Sequence, residues 1–372
     1  MTLAGRWTAA LDDLRGKGRY RAFRPPAGID FTSNDYLGYG PRCQPAVTAD
    51  LPRTGMSSRL LRGHHAVWDE VEATLAAWHG AESALMMTSG YAANEGLIAT
   101  VAEPGDWVAV DELSHACIID GLRVARPRKF LFRHNDRNHL EDGLRAEAAK
   151  RTEGRELFVV TESLFSMDGD TAPLRETADL CERYGAHLIV DEAHTTGCVG
   201  PHGSGAVDAA GVRGRVLATV HTGGKALGLP GAYVCGSTLL KEYLTNTCRH
   251  LIFTTALPAA VGAWWREQIP HVQADDVGRR RLHENAAGFR AALARLGVMP
   301  AGRDYVVPVI VGQDEPSVRA ATELQARGYD VRAIRPPTVP AGTCRLRVSV
   351  HADHDPAVLT QLADAIAGVL RP

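Results

Sequence analysis

The sequence predicts an α/β protein, with a large domain built on a seven-stranded, mostly parallel sheet and a smaller α+β domain at the C-terminal end. Three observations carry that expectation. Short apolar runs alternate with helical patterns for about two hundred residues, as in a parallel sheet covered by helices. Polar motifs able to carry chemistry fall just after five of the apolar runs. From about Leu239 the pattern changes to helices, and then to a second, shorter set of alternating elements.

Taken in order, residues 1–35 read as a basic, mobile arm, 36–240 as the large domain and 241–372 as the small one. The strands are expected at Ala84–Met87, Trp107–Val110, Phe130–Phe132, Leu157–Val160, His187–Val190, Val216–Val220 and Ala232–Cys235. Each is a run of three to five residues, short and apolar enough for a strand buried on both faces. Between them Ala66–Trp78, Ala92–Val101, His115–Ala125, Leu140–Lys150 and Arg175–Tyr184 space their apolar residues as helices do. In the small domain a long helix is expected over about 276–296. Strands follow at Tyr305–Val311, Val331–Ile334 and Leu346–Val350, with helices at Ser317–Arg327 and Pro356–Val369. Neither an internal repeat nor a low-complexity tract interrupts this order.

Composition narrows the function. With 45% hydrophobic and 23% charged residues over 372 positions, the chain can bury a large core, and a formal net charge of −2 gives no electrostatic case for nucleic acid or an anionic membrane. Small molecules and copies of the same chain are the expected partners. No run of 18 apolar residues and no signal-peptide core appears, so a cytoplasmic protein is expected. Seven scattered cysteines, at 43, 117, 181, 198, 235, 248 and 344, include no C-x-x-C pair and fit reduced thiols.

Ligands of such sheets collect beyond the carboxyl ends of the strands, where the five motifs fall. The most telling is His221-Thr222-Gly223-Gly224-Lys225-Ala226-Leu227-Gly228. The chain has only five lysines, and Lys225 alone follows an apolar run and is flanked by glycines that let a planar ligand approach the backbone. A partly desolvated lysine is a nucleophile toward carbonyl compounds and a base. Asp191 ends an all-apolar strand, where a carboxylate is costly unless it meets a cation. A protonated pyridine nitrogen would be such a partner. His115 and His194 can supply a flat ring and a hydrogen-bond donor, and Ser89-Gly90-Tyr91 offers a strand, a glycine and then a helix N-terminus suited to phosphate. Thr222 adds a hydroxyl, and Ser166 lies in the turn Leu164–Asp170.

Two rival readings fail on syntax. Asp191-Glu192-Ala193-His194 also matches a helicase Walker B motif, but a P-loop needs G-x-x-x-x-G-K-[ST], whereas Ala226 follows Lys225 and position 219 is threonine. His64-His65 and His351-Ala352-Asp353-His354 show no metal-ligand spacing joined to cysteines or a second cluster.

Taken together and in order, these residues resemble the α-oxoamine synthases, fold type I enzymes that use pyridoxal 5'-phosphate. The carrying segments are Phe31–Gly38, Thr161–Asp170, the Asp191 and Lys225 motifs, and Ile334-Arg335-Pro336-Pro337-Thr338 through Arg347. The resemblance spans nearly the whole chain. It implies an aspartate aminotransferase-like fold in which Lys225 holds the cofactor, Asp191 pairs with its pyridine nitrogen, His115 stacks on its ring, His194 and Ser166 contact it, and Gly90, Tyr91 and Thr222 lie near its phosphate. It further implies that Arg347 grips an amino-acid carboxylate and that Arg21, Asn34 and Thr338 lie against substrate, with His115 shared between cofactor and substrate. The reaction implied is a decarboxylative condensation of L-alanine with a pimeloyl thioester, carried on coenzyme A or an acyl carrier protein. Sister activities with glycine or serine, and a catalytically silent subunit, stay open. A homodimer is implied, with Thr254 or Thr255 reaching the neighbouring subunit's site. Trp68 stands where many relatives carry histidine, and Leu229-Pro230 replaces smaller residues.

Overall fold

The computed structural model describes residues 1–42, 50–150 and 152–371, which form two compact units. The larger comprises Leu37–Phe165 and Thr171–Arg279, and the smaller comprises Met1–Tyr36, Ser166–Asp170 and Arg280–Pro372.

The larger unit is built on seven strands: β1 (Ser83–Met87), β2 (Trp107–Asp111), β3 (Arg128–Phe132), β4 (Leu157–Glu162), β5 (His187–Asp191), β6 (Ala218–Thr222) and β7 (Ala232–Gly236). Their spatial order is β1-β7-β6-β5-β4-β2-β3. Every pair is parallel except those made by β7, which runs against both β1 and β6. The carboxyl ends of β1 to β6 therefore share one edge. Side chains alternate across the sheet as the pleat requires. Val108, Val110, Phe158, Val160 and Ile189 join one core, whereas Trp107, Ala109, Leu157, Val159, Leu188 and Val190 join the other.

Helix α1 (Ala66–His79) precedes β1, and two helices start from that edge, α2 (Gly90–Val101) after β1 and α3 (Ala116–Ala125) after β2. Two boundaries differ from expectation in ways that matter. Helix α2 starts at Gly90 rather than Ala92, because the Ser89 hydroxyl caps it by accepting from the Ala92 N–H at 3.2 Å. Strand β6 begins at Ala218 rather than Val216, because its ladder with β7 opens on the Ala218–Gly236 pair and continues to Thr222–Ala232. Thr222 is thus the last ladder residue, and Lys225 stands three residues past the sheet.

In the smaller unit Val306–Gly312, Arg332–Ile334 and Cys344–Ser349 form an antiparallel sheet with Cys344–Ser349 central. Ile29–Asp30 pairs in parallel with Tyr329–Asp330, joining N-terminal residues to the C-terminal part of the chain. The start of the chain is helical from Leu3 to Gly16 rather than irregular, capped by the Thr2 hydroxyl. Leu3, Trp7, Leu11 and Leu14 are exposed at spacings of four, four and three residues, which align them on one stripe. Arg19 reaches Asp314 through Nε and Nη2 at 3.0 and 2.9 Å. The six described cysteines are buried and none is in a disulfide; Cys43 lies outside the described residues. Among the described residues no helix is long and apolar enough to cross a membrane.

Candidate active site

The edge of the larger unit gathers seven of the residues singled out in the sequence: Gly90, Tyr91, His115, Asp191, His194, Thr222 and Lys225. Lys225 Nζ lies 2.8 Å from His194 Nε2. Its loop is fixed by glycines and by the Leu229-Pro230 pair. The Leu229 N–H donates to the Gly223 carbonyl at 2.8 Å, and the Trp265 indole N–H donates to the Pro230 carbonyl at 2.9 Å. A Cβ on Gly223 would run into the Trp265 ring and the Leu229 carbonyl, so only glycine fits there. Leu229-Pro230 is thereby part of the scaffold of the lysine loop.

Asp191, at the end of β5, is held on both carboxylate oxygens. Asn94 Nδ2 donates to Oδ2 at 2.7 Å and the Ala193 N–H donates to Oδ1 at 2.7 Å. The sequence reading did not assign Asn94 to this task. Its signal was an amide on the buried face of α2, between Ala93 and Leu97, and a buried polar group needs a partner. Replacing Asn94 with alanine deletes a hydrogen bond to a carboxylate, which is worth about 1.5–3 kcal/mol. Retention of a ligand that depends on Asp191 is expected to weaken about ten- to a hundredfold, read by titrating the apo-protein with pyridoxal phosphate, with far-ultraviolet circular dichroism unchanged.

Glu162 ends β4 directly beside Asp191 in the ladder and accepts from the His115 N–H at 2.6 Å. Burial first, and then the Asp191 charge, push its carboxyl up to about 8 from an ordinary 4.5. The unfolded chain releases this proton near pH 4.5 while the folded chain retains it, so stability falls as pH rises from about 4.5 to about 8. Glu162→Gln removes the titration and keeps an acceptor for His115. Its melting temperature is expected to gain on wild type as pH is raised through that window, measured by thermal unfolding at pH 5 and 8.

His115 caps α3, its Nδ1 accepting from the Cys117 N–H at 3.3 Å. Burial, with Lys225 opposing and Asp191 favouring the charged form, holds the imidazole below its ordinary value. Tyr91 meets the His115 ring edge-on at 6.2 Å. Its hydroxyl is taken by Asp120, which together with partial desolvation pushes the phenol up to about 12. Tyr91 is therefore tied to α3 through its hydroxyl, and the donors that the first turn of α2 leaves for an anion are backbone N–H groups. A Cβ on Gly90 would lie 3.5 Å from Thr222 Cβ and Oγ1, which sets the end of β6 beside that turn.

The remaining sequence candidates lie in the smaller unit and make a set of their own. Arg347 is buried and donates from Nε to the Ser166 carbonyl at 2.6 Å, from Nη1 to Ser349 Oγ at 2.8 Å and from Nη2 to Asn34 Oδ1 at 2.9 Å. Arg21 Nη2 lies 3.4 Å from Thr338 Oγ1. Trp68 is buried in α1, its indole N–H without a hydrogen-bond partner among the described residues, and lines a small cavity together with Thr254.

The larger unit's set fits an aldehyde-bearing pyridine phosphate: an amine for the aldehyde, a braced carboxylate for a ring nitrogen, a flat imidazole and a helix N-terminus for phosphate. One observation is specific to the site. Asn94 Oδ1 is buried without a hydrogen-bond partner among the described residues, although its Nδ2 is committed to Asp191. The fold and the site define a pyridoxal phosphate-dependent enzyme of fold type I. The chain belongs to the family described as aminotransferase class I and II, whose sequence model matches residues 26–366. Among its relatives, the 8-amino-7-oxononanoate synthase of Chlorobaculum parvum is 40% identical and aligned over 96% of each chain. That of Trichlorobacter lovleyi is 43% identical over 97% of this chain and 96% of its own. Among solved structures, serine palmitoyltransferase from S. paucimobilis, with a pyridoxal phosphate–myriocin adduct bound, superposes with a TM-score of 0.87 at 28% identity, covering 99% of this chain and 98% of its own.

Proposed function

We propose that the protein condenses L-alanine with a pimeloyl thioester to give 8-amino-7-oxononanoate, carbon dioxide and the free thiol, a step of biotin biosynthesis. The observation that carries the chemistry is the pairing of Lys225 with His194 at 2.8 Å on the strand edge that also presents Asp191. The substrate assignment draws on the full-length similarity to 8-amino-7-oxononanoate synthases.

When bound, pyridoxal phosphate supplies an electron sink for the charge left on the amino-acid Cα. Lys225 would hold the cofactor through its aldehyde, and its amine, once free, would take the Cα proton of alanine and later return one. Asp191, braced by Asn94 and Ala193, would keep the ring nitrogen protonated. His115 would meet the ring and the substrate, His194 and Ser166 would hold the cofactor, and Gly90, Tyr91 and Thr222 would bind its phosphate. Arg347 takes the alanine carboxylate, a planar fork meeting a planar group, and Arg21, Asn34 and Thr338 line the acyl substrate's path. The larger unit, Leu37–Phe165 with Thr171–Arg279, carries Lys225 and Asp191, and Arg280–Pro372 belong to the smaller unit. The enzyme works in the cytoplasm as a homodimer, with Thr254 or Thr255 contributing to the partner's site, and takes its acyl group from coenzyme A or an acyl carrier protein.

The test is turnover by the cofactor-loaded protein, with product identified by mass and thiol release followed in time. Alanine with pimeloyl thioester is expected to exceed both glycine with acetyl-CoA and serine with a long-chain acyl thioester. Preference for the serine pair, the activity named for the solved neighbour, would move the protein to that sister reaction. No turnover with any pair, despite bound cofactor, would favour a silent subunit.

A further inference from the structure

The surroundings of His115 Nδ1 decide which proton its ring can offer. Nδ1 lies 3.3 Å from the Cys117 backbone nitrogen, which can only donate, and 2.9 Å from Cys117 Sγ. Cys117 is buried. Burial, with the charges of Asp191 and Glu162 adding to it, pushes its thiol well above the ordinary range, so the sulfur presents S–H to the ring rather than a thiolate. A nitrogen that faces two donors carries the lone pair, and the proton of the neutral ring then sits on Nε2.

We propose that Cys117 is a positioning residue whose amide and thiol lock His115 in its Nε2–H tautomer, so that the ring offers a neutral N–H donor to bound substrate. The destination of that donor rests on the function proposed above, whereas the tautomer does not. Protonating Nδ1 would set a third hydrogen against the Cys117 N–H and S–H. Asp191 favours the charged ring, Lys225 opposes it, and Glu162 and Tyr91 flank it at the backbone and ring edge. Serine at 117 keeps both donors; alanine keeps only the amide.

The test uses the cofactor-loaded protein with ¹⁵N-labelled histidine and a long-range proton–nitrogen correlation spectrum, the His115 signals being assigned from a His115→Asn variant. Wild type and Cys117→Ser are expected to show protonated Nε2 and lone-pair Nδ1. In Cys117→Ala both tautomers are expected, and His115 should bind a proton about three- to tenfold more tightly, since one hydrogen bond no longer opposes it. Turnover with alanine and pimeloyl thioester should fall in Cys117→Ala and recover in Cys117→Ser, an exchange that mere packing would not require. A proton on Nδ1 in wild type, or a Cys117→Ala spectrum and titration identical to wild type, would overturn the proposal. Absence of turnover in wild type with the tautomer pattern intact would instead count against the proposed reaction.

Discussion

Lys225→Ala is expected to lower turnover by at least about 10³-fold while leaving the fold intact. Two proposed roles are lost together, the covalent hold on the cofactor and the base that moves the Cα proton, so the effect should exceed that of removing a base alone. The fold is spared because the loop around Lys225 is fixed by other groups: Gly223 against Trp265, Leu229 on the Gly223 backbone, and the Trp265 indole on Pro230. Single-turnover kinetics, visible absorbance of the cofactor and circular dichroism separate these effects. The expected pattern is an altered cofactor band, unchanged circular dichroism and no product. Turnover within tenfold of wild type would remove Lys225 from the reaction.

Asp191→Asn is expected to cost on the order of 10³-fold in turnover with little loss of stability. In the role proposed for Asp191, the carboxylate charge that would hold a proton on the ring nitrogen disappears, and the electron sink weakens with it. Local packing survives because Asn94 can answer the change. Its Oδ1 has no partner among the described residues, so turning the Asn94 amide presents that oxygen to the new Nδ2, while the Ala193 N–H keeps its bond to the remaining carbonyl. Turnover against pH, set beside thermal unfolding, checks both halves. A loss of activity matched by a large fall in melting temperature would assign Asp191 a structural role instead.

Much of the fold was legible because it is written in local periodicity. The seven strands are short apolar runs, and each lies within two or three residues of its expected limits. Lys225 and Asp191 were legible for a related reason: a charge at the end of an apolar run is costly and needs a partner. The partners themselves were not legible. Asn94 reaches Asp191 across 97 positions and Glu162 reaches His115 across 47, and no pattern within either segment specifies the pairing. Glu162 carried the same signal as Asp191, an acid closing an apolar strand, but its partner, the His115 backbone N–H, lies in another segment. The N-terminal helix was hidden differently. Its stripe of Leu3, Trp7, Leu11 and Leu14 has helical spacing, but the basic residues around it read as an arm. Ile29–Asp30 pairing with Tyr329–Asp330 joins the two ends of the sequence, a fact that only the folded chain contains.

Strand β7 sets a schedule for the ribosome. It lies between β1 and β6 and supplies β1 with its one sheet neighbour among the described residues, yet it is the last of the seven strands to be synthesised. At translation speeds of about 5–20 residues per second, β1 emerges roughly 7 to 30 seconds before its neighbour exists. During that interval Leu85 to Met87 belong to an unclosed sheet, the kind of open apolar edge on which nascent chains associate. The same strand ends the wait for the lysine, whose loop is pinned to Gly231 at the entrance of β7, so sheet closure and completion of the lysine loop are one event in time.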